Sequence, residues 1–267
     1  MIVLIGLVVA GLGPILWSAK AAISYPNDII AAPLSFWPSG IRLQNLADAW
    51  DRIQIGTALF NTMVMGIGCT VVALVVAITG GYVLSILKPR WSKVLSGAVL
   101  ATLFLPAVIT LVPLYQTVLD MPLLNVSLLN TFWALWLPAG ASAFNVMITK
   151  RFFDGIPPSL VEAARIDGAG PLRILLLIIL PLSRPIVGVM ALLSLIGAFK
   201  DYLWPLLVMP DPAVQPVSVA LPARTASADL GVGLAGVFLT IVIPVVLFLI
   251  FQRQFLRGVA LTGGVKG

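Results

Sequence analysis

The sequence contains no histidine and a single cysteine, Cys69, and only 10% of its 267 residues are charged. Without histidine the chain lacks the commonest proton shuttle and metal ligand, and one cysteine cannot form a disulfide within the chain. The sequence also has no G-x-x-x-x-G-K-[ST] segment, the phosphate-binding loop of many ATPases. We therefore expect a non-catalytic protein with no metal site and no cofactor of its own.

Hydrophobic residues, in contrast, make up 60% of the chain, and the mean hydropathy is +1.09. This composition lies outside the range of ordinary soluble domains. A helix needs about 20 residues to cross a hydrocarbon layer of roughly 30 Å, and in hydrocarbon its backbone must satisfy its own hydrogen bonds. The apolar stretches predict an all-α polytopic membrane protein, a single transmembrane domain over residues 1–267. The six predicted spans are approximately 1–18, 58–87, 95–119, 127–149, 174–199 and 232–252.

The distribution of positive charge predicts the orientation of these spans. With the N-terminus inside, the cytosolic regions hold 11 of the 16 Lys and Arg residues and the outer regions hold 5. By the positive-inside rule, both termini are then cytoplasmic. The high isoelectric point of about 9.8 follows from this topology, so we expect the lipid bilayer as a partner and no nucleic acid.

The middles of the predicted spans contain no Asp or Glu, although ion-coupled carriers usually keep carboxylates there. The energy for any transport must then come from another chain. Polar side chains near the spans could line a solute pathway or hold helices together, and both interpretations are open. Candidate pathway residues are Asn61, Asn130 and Asn145. Two further candidates, Lys200 and Asp201 at the outer end of the fifth span, either pair locally or leave Lys200 to favour an anionic solute.

Residues 152–173 form the longest structured cytosolic loop in this topology. Ser159 and Glu162 have the spacing of a capping box, in which each side chain satisfies a backbone N–H of the first helical turn. Gly168 is placed to end a helix, which predicts a short helix over residues 160–167. From the pattern alone, this helix is either a capped surface element or a docking element.

The same loop resembles that of importer permeases of the ATP-binding-cassette superfamily, whose signature is E-A-A-x3-G-x9-I-x-L-P. The matching residues are Glu162, Ala163, Ala164, Gly168, Ile178, Leu180 and Pro181. In that family the loop is a coupling helix that inserts into a groove of the ATPase subunit. The resemblance implies a docking core and a polar rim. The core comprises Glu162, Ala163, Ala164 and Gly168, and the rim comprises Arg165 and Asp167.

Other segments resemble the carbohydrate-uptake permeases typified by the maltose system. These segments are Leu129–Leu135 with Leu137-Pro138, and Gln252–Phe255 with the terminal Gly264–Gly267. The chain departs from the family at Lys200-Asp201, where members often have W-N-D/E. The resemblance implies a permease subunit for a disaccharide, oligosaccharide, amino sugar or glycerol-3-phosphate type of solute in a bacterial-type inner membrane.

The implied partners are a second homologous permease, two ATP-binding-cassette ATPase subunits and an extracytoplasmic solute-binding protein. Two alternatives are open: an importer permease for a non-carbohydrate solute, and a secondary transporter working alone. A solitary carrier would be expected to show intramembrane carboxylates or paired broken helices. The sequence does not name the solute.

Overall fold

The computed structural model of this protein describes residues 1–31, 35, 37–122 and 124–263. Within these residues the chain is helical, and its only β-type pairing is an isolated bridge between Met121 and Val126. The prediction of an all-α fold is confirmed. The terminal motif 264–267 lies outside the described residues.

The helices follow one another in this order. The first eight are α1 (Ile2–Ala22), α2 (Pro26–Ala31), α3 (Gln44–Asp51), α4 (Ile55–Tyr82), α5 (Ser92–Thr102), α6 (Ala107–Leu119), α7 (Trp133–Ala139) and α8 (Ala143–Asp154). The others are α9 (Pro158–Ile166), α10 (Pro171–Ile174), α11 (Leu180–Leu182), α12 (Arg184–Lys200), α13 (Leu203–Val208), α14 (Val217–Thr225) and α15 (Leu230–Gly263). Two π-helical turns, Val83–Leu87 and Leu175–Ile179, continue α4 and α10.

Only some of these helices are long and apolar enough to cross a membrane unbroken. Among the described residues, Ile55–Leu87 passes by length and composition, and up to three spans are present if each of two bent helix pairs counts as one. The bent pairs are Ser92–Thr102 with Ala107–Leu119, at 104°, and Pro171–Leu182 with Arg184–Lys200, at 80°. The count of six spans therefore stays a prediction.

Prolines explain where the predicted third span divides. Pro106 lies between α5 and α6 in an extended conformation, with φ −60° and ψ 130°. Proline has no N–H to donate and disfavours helical geometry in the residue before it. The predicted fourth span also divides, because α7 contains Pro138 near its end and α8 begins only at Ala143.

The chain forms two compact units, which we describe separately. The first unit comprises Met1–Val64 and Phe199–Leu249, and the second comprises Met65–Ala198 and the described residues from Ile250 onward. The core of the first unit brings together small and aliphatic side chains, among them Ala49, Ile55 and Val217.

The core of the second unit holds part of the loop of residues 152–173. Phe153 at the end of α8 is fully buried there, against Tyr82 of α4 and Ile179 of the second π turn. Nearby, α4 and α8 approach so closely that a Cβ atom at Gly81 would lie 2.7 Å from Cγ2 of Thr149. This contact fixes the end of α8, from which the loop departs.

Candidate functional site

The predicted loop helix is present as α9, but it begins earlier than the sequence suggested. Pro157 is its N-cap and Pro158 its first residue, and no side chain caps the N-terminus. Proline suits the first helical position because its missing N–H would have no partner there. Ser159 is consequently the second residue of the helix, and the predicted capping box with Glu162 is wrong.

At its other end, α9 stops as the sequence predicted. Gly168 has φ +78°, a left-handed conformation that glycine adopts without steric penalty. The N–H of Ala169 donates to Ala164 O at 2.9 Å, and the N–H of Gly168 donates to Arg165 O at 3.0 Å. These two bonds form a Schellman motif, which satisfies the last carbonyls of the helix. Helix α9 ends at Ile166, one residue before the predicted end.

The two faces of α9 differ in their surroundings. Val161 and Ala164 are 6% and 7% exposed and pack into the core of the second unit. The rest of the helix is open to solvent. Ile166, on the side opposite these two residues, is 85% exposed, and Leu160, at the edge beside Ala164, is 44% exposed. The exposed motif residues are Glu162, Ala163, Arg165, Asp167 and Gly168. Ala164, which was predicted to be part of the docking core, is buried against its own chain.

The second half of the motif lies where the following helix bends. Ile178 packs against the core beside α9, and Leu180 and Pro181 form the short α11 after the π turn. Because Pro181 cannot donate a backbone hydrogen bond and its ring crowds the preceding turn, the helix is interrupted here. The chain then turns at Ser183, whose hydroxyl donates to Ile179 O at 2.7 Å.

Polar contacts join the segments on either side of α9 to α4 and its π turn. Tyr82 Oη donates to Pro171 O at 2.8 Å. Ser85 Oγ donates to Asp154 Oδ1 at 2.7 Å, and Lys150 Nζ donates to Asp154 Oδ2 at 2.7 Å. The sequence analysis missed Tyr82, Ser85 and Asp154. Only the spacing of Lys150 and Asp154, four residues apart in one helix, carried a local signal.

The Asp154 carboxyl lies outside the predicted spans and is ionised more readily than usual. Burial opposes its ionisation, but the hydrogen bonds from Lys150 and Ser85 and the positive charges of Lys150 and Lys88 outweigh that effect. The pKa of Asp154 therefore lies below its ordinary value.

A crevice of about 120 Å³ separates this polar cluster from α9. The residues around it include Ser85, Lys88, Asp154, Pro158, Glu162 and Arg165. Within the described part of the chain, no group of His, Cys, Asp or Glu side chains is arranged to hold a metal ion.

The candidate pathway residues do not form one cluster. Asn61 is 6% exposed in the first unit, and its Nδ2 donates to Ala213 O at 2.9 Å and to Gln215 O at 3.2 Å. This side chain fastens the segment before α14 to α4, so its contacts favour the structural interpretation.

In the second unit, Asn130 is exposed in a turn with φ +57°, and Asn145 is half-buried in the first turn of α8. Lys200 and Asp201 are exposed in the first unit. They form no ion pair with each other among the described residues, and Asp201 instead accepts a backbone hydrogen bond from Trp204.

Comparison with known proteins finds similarity to subunits of transport systems. Residues 70–259 match the model of a protein family that is described as "binding-protein-dependent transport system inner membrane component". The chain is 28% identical over 273 residues to the sn-glycerol-3-phosphate transport system permease protein UgpE of Agrobacterium fabrum, which covers 98% of this chain and 95% of the relative. It is 28% identical over 235 residues to the melibiose/raffinose/stachyose import permease protein MelC of Bacillus subtilis, covering 86% and 83%.

A solved structure has a similar fold. It belongs to a bacterial ABC transporter involved in the import of the acidic polysaccharide alginate, and the match has a TM-score of 0.84. The match covers 95% of this chain and 94% of that chain at 22% sequence identity.

Proposed function

Because this chain belongs to the family of binding-protein-dependent transport system inner membrane components, we propose that it is a permease subunit of an ATP-driven importer for a sugar or sugar-like solute. We further propose that α9 is the element through which an ATPase subunit drives it. The chain is a transport subunit, and ATP hydrolysis belongs to its partner.

The observation that carries the coupling proposal is the contrast between the two faces of α9. Val161 and Ala164 fix the helix to the core, whereas Leu160 and Ile166 present apolar surface to solvent. Exposed apolar surface that is bordered by polar residues favours a protein interface. A nine-residue helix is roughly 13 Å long at 1.5 Å per residue, a size suited to a groove on another protein.

The charges on the exposed face suit specific docking. Glu162 and Arg165 flank the small side chain of Ala163, which allows a partner to approach the helix backbone closely. In this proposal Glu162, Ala163, Arg165, Asp167 and Gly168 meet the ATPase. Charges at the edge of an interface contribute mainly to orientation and to the rate of association.

The family description implies a binding protein and an ATPase as partners. We propose that the complete importer also contains a second, homologous permease and a pair of ATPase subunits, with both termini of this chain in the cytoplasm. Closure of the ATPase pair on ATP would move α9, and the permease helices would then open toward the outside to accept solute. Hydrolysis would return them.

For the solute, we propose a sugar or a sugar-like polyol. The relatives UgpE and MelC are named for sn-glycerol 3-phosphate and for melibiose, raffinose and stachyose. An exposed Lys200 without an ion-pair partner among the described residues is available to an anionic solute, which favours testing sn-glycerol 3-phosphate first. The α-galactosides are the neutral comparison.

The first test is purification of the detergent-solubilised chain from its host, followed by mass spectrometry of the proteins that accompany it. An ATP-binding-cassette subunit and a second permease are expected. A lone chain or a homo-oligomer, under conditions that preserve such importers, would refute the assignment of partners.

A charge reversal tests the coupling helix itself. Glu162→Lys should abolish uptake and weaken recovery of the ATPase subunit, while the permease stays inserted at normal abundance. Lys93→Glu is the matched control, since Lys93 is also exposed and lies in α5, outside the loop of residues 152–173. Equal uptake by wild type and Glu162→Lys would contradict the proposal.

A further inference from the structure

Asp154 and Ser85 join two segments that the chain itself does not connect locally. Ser85 lies in the π turn that ends α4, and Asp154 is the last residue of α8. They are 69 residues apart, and Ser85 Oγ lies 2.7 Å from Asp154 Oδ1. Ser85 is only 2% exposed, so the loss of this partner would leave its hydroxyl buried without a hydrogen bond, which is costly.

The short connection from Asp154 to α9 makes this bond mechanically relevant. Only Gly155, Ile156 and Pro157 separate Asp154 from the first residue of α9. Ile156 is 8% exposed in the core, and Pro157 has its φ fixed by its ring. Because this connection is short and partly buried, a displacement of α9 would also displace the Asp154 carboxylate.

On the other side of the bond, Ser85 belongs to the helical stretch Ile55–Leu87, the long apolar one. The π turn at its end is closed by Lys88, which has φ +46° and donates its N–H to Val83 O at 3.0 Å. π turns are rare in helices and occur frequently at functional sites. The Ser85 hydroxyl is thus carried by a π turn and not by regular α-helix.

The second hydrogen bond of the Asp154 carboxylate connects residues of the same helix. Lys150 lies four residues before Asp154 in α8, and its Nζ lies 2.7 Å from Asp154 Oδ2. This bond stays within one helix, whereas the bond from Ser85 crosses between helices. The crevice of about 120 Å³ beside the cluster is lined by Glu162 and Arg165 of α9 as well as by Ser85 and Asp154.

We propose that the Ser85–Asp154 hydrogen bond transmits the movement of α9 to α4, with Ser85 and Asp154 as positioning residues for coupling. This inference rests on the proposed function, since it supposes that an ATPase moves α9. It adds a connection inside the permease to the docking contact outside it. Neither residue belongs to α9, because Ser85 lies in the π turn that ends α4 and Asp154 is the last residue of α8.

The test uses the purified importer with its ATPase subunits in lipid nanodiscs, with the other subunits made cysteine-free. The single cysteine of this chain, Cys69, lies in α4 and reports on that helix. Its rate of labelling by N-ethylmaleimide is compared without nucleotide and after trapping with ATP and orthovanadate. Recovery of the ATPase and basal ATP hydrolysis are measured in the same samples.

The expected result separates the two hydrogen bonds of Asp154. In the wild-type complex, trapping changes the labelling rate of Cys69. Ser85→Ala should lose this change while keeping the ATPase bound and active. Lys150→Met, which removes the bond within α8 and keeps side-chain length, should retain the change.

Several outcomes would overturn the inference. The inference is wrong if the labelling rate of Cys69 in Ser85→Ala changes on trapping as it does in wild type. It is also wrong if Lys150→Met loses this change to the same extent as Ser85→Ala. If trapping leaves the labelling rate of Cys69 unchanged in the wild-type complex, α4 does not move with the ATPase and the inference is wrong. Failure of Ser85→Ala alone to assemble would make the bond purely structural. Failure of every version, wild type included, to bind an ATPase would instead refute the proposed function.

Discussion

Replacement of Gly168 tests whether the end of α9 acts through its backbone. Its φ of +78° is a conformation that L side chains rarely adopt, and no heavy atom lies within 4 Å of where a Cβ would stand. A substitution there is therefore strained without being crowded. The left-handed conformation costs an L residue roughly 1–2 kcal/mol.

That cost converts directly into an expected loss of affinity. If ATPase docking requires the Schellman ending while the free loop can relax, Gly168→Ala should weaken binding by at most about 1–2 kcal/mol. Since about 1.4 kcal/mol is a tenfold change, the loss is roughly 5- to 30-fold. The assay is titration of the nanodisc-reconstituted permease with its purified ATPase subunit.

Gly168→Asn is the control that distinguishes strain from size. Asparagine is larger than alanine, but it tolerates the left-handed conformation at helix ends better. If backbone strain decides, affinity falls in the order Gly, Asn, Ala. An Asn variant that binds more weakly than the Ala variant would refute the reasoning and indicate a steric clash with the partner.

Three further predictions follow from burial, charge and hydrogen bonding. Ala164→Leu should lower the free energy of unfolding of the permease by about 1–3 kcal/mol because it overpacks the core. Ala163→Leu, at an exposed position, should leave the melting temperature unchanged and weaken recovery of the ATPase. The reverse pattern would contradict the assignment of a buried and an exposed face to α9. The lowered pKa of Asp154 means that its contribution to stability is present above the unfolded pKa of about 3.9 and is lost as the pH falls through the lower folded pKa. The difference between the thermal melts of wild type and Asp154→Asn should therefore shrink as the pH falls below about 3.9, and a constant difference at all pH values would argue against this. Arg224 donates to the carbonyl oxygens of Ile53 and Gln54 at 3.1 and 2.9 Å, so Arg224→Met should increase hydrogen exchange at residues 53–55, and unchanged exchange would count against a role for these bonds.

The loop between α8 and α10 illustrates how far local pattern reaches. Gly168 was predicted to end a helix, and its conformation and hydrogen bonds confirm this, because a left-handed residue followed by two specific backbone bonds is a local structure. The capping box failed for an equally local reason. Pro157 and Pro158 start the helix earlier than Ser159 can, and their rings fix the backbone whatever side chain follows.

Which face of α9 is buried was not decided by the loop alone. Leu160 and Ala164 are one helical turn apart, and the sequence interpretation put them on one face, but Leu160 is exposed and Ala164 buried. Residues four apart are about 40° apart around a helix, so the boundary between faces depends on what packs against it. Here Phe153 and Ile179 set that boundary, from segments that only the tertiary structure brings together.

Asn61 shows the same limit for polar residues. A polar side chain in an apolar helix is compatible with a solute pathway and with a structural hydrogen bond. Its two acceptors, Ala213 O and Gln215 O, lie more than 150 residues away in the chain. No local pattern could have identified them.

Hydropathy, the need of a backbone in hydrocarbon to satisfy its own hydrogen bonds, and the spacing of E-A-A, Gly and I-x-L-P are properties of the linear chain. They were enough to predict the membrane character, the helical class and the family motif. The structure divided the apolar stretch 95–119 into two helices, turned Ala164 inward and brought Ser85 to Asp154. Those outcomes depend on packing between distant segments, whose energies are set by which surfaces meet. A linear sequence records the residues on each surface but not their partners.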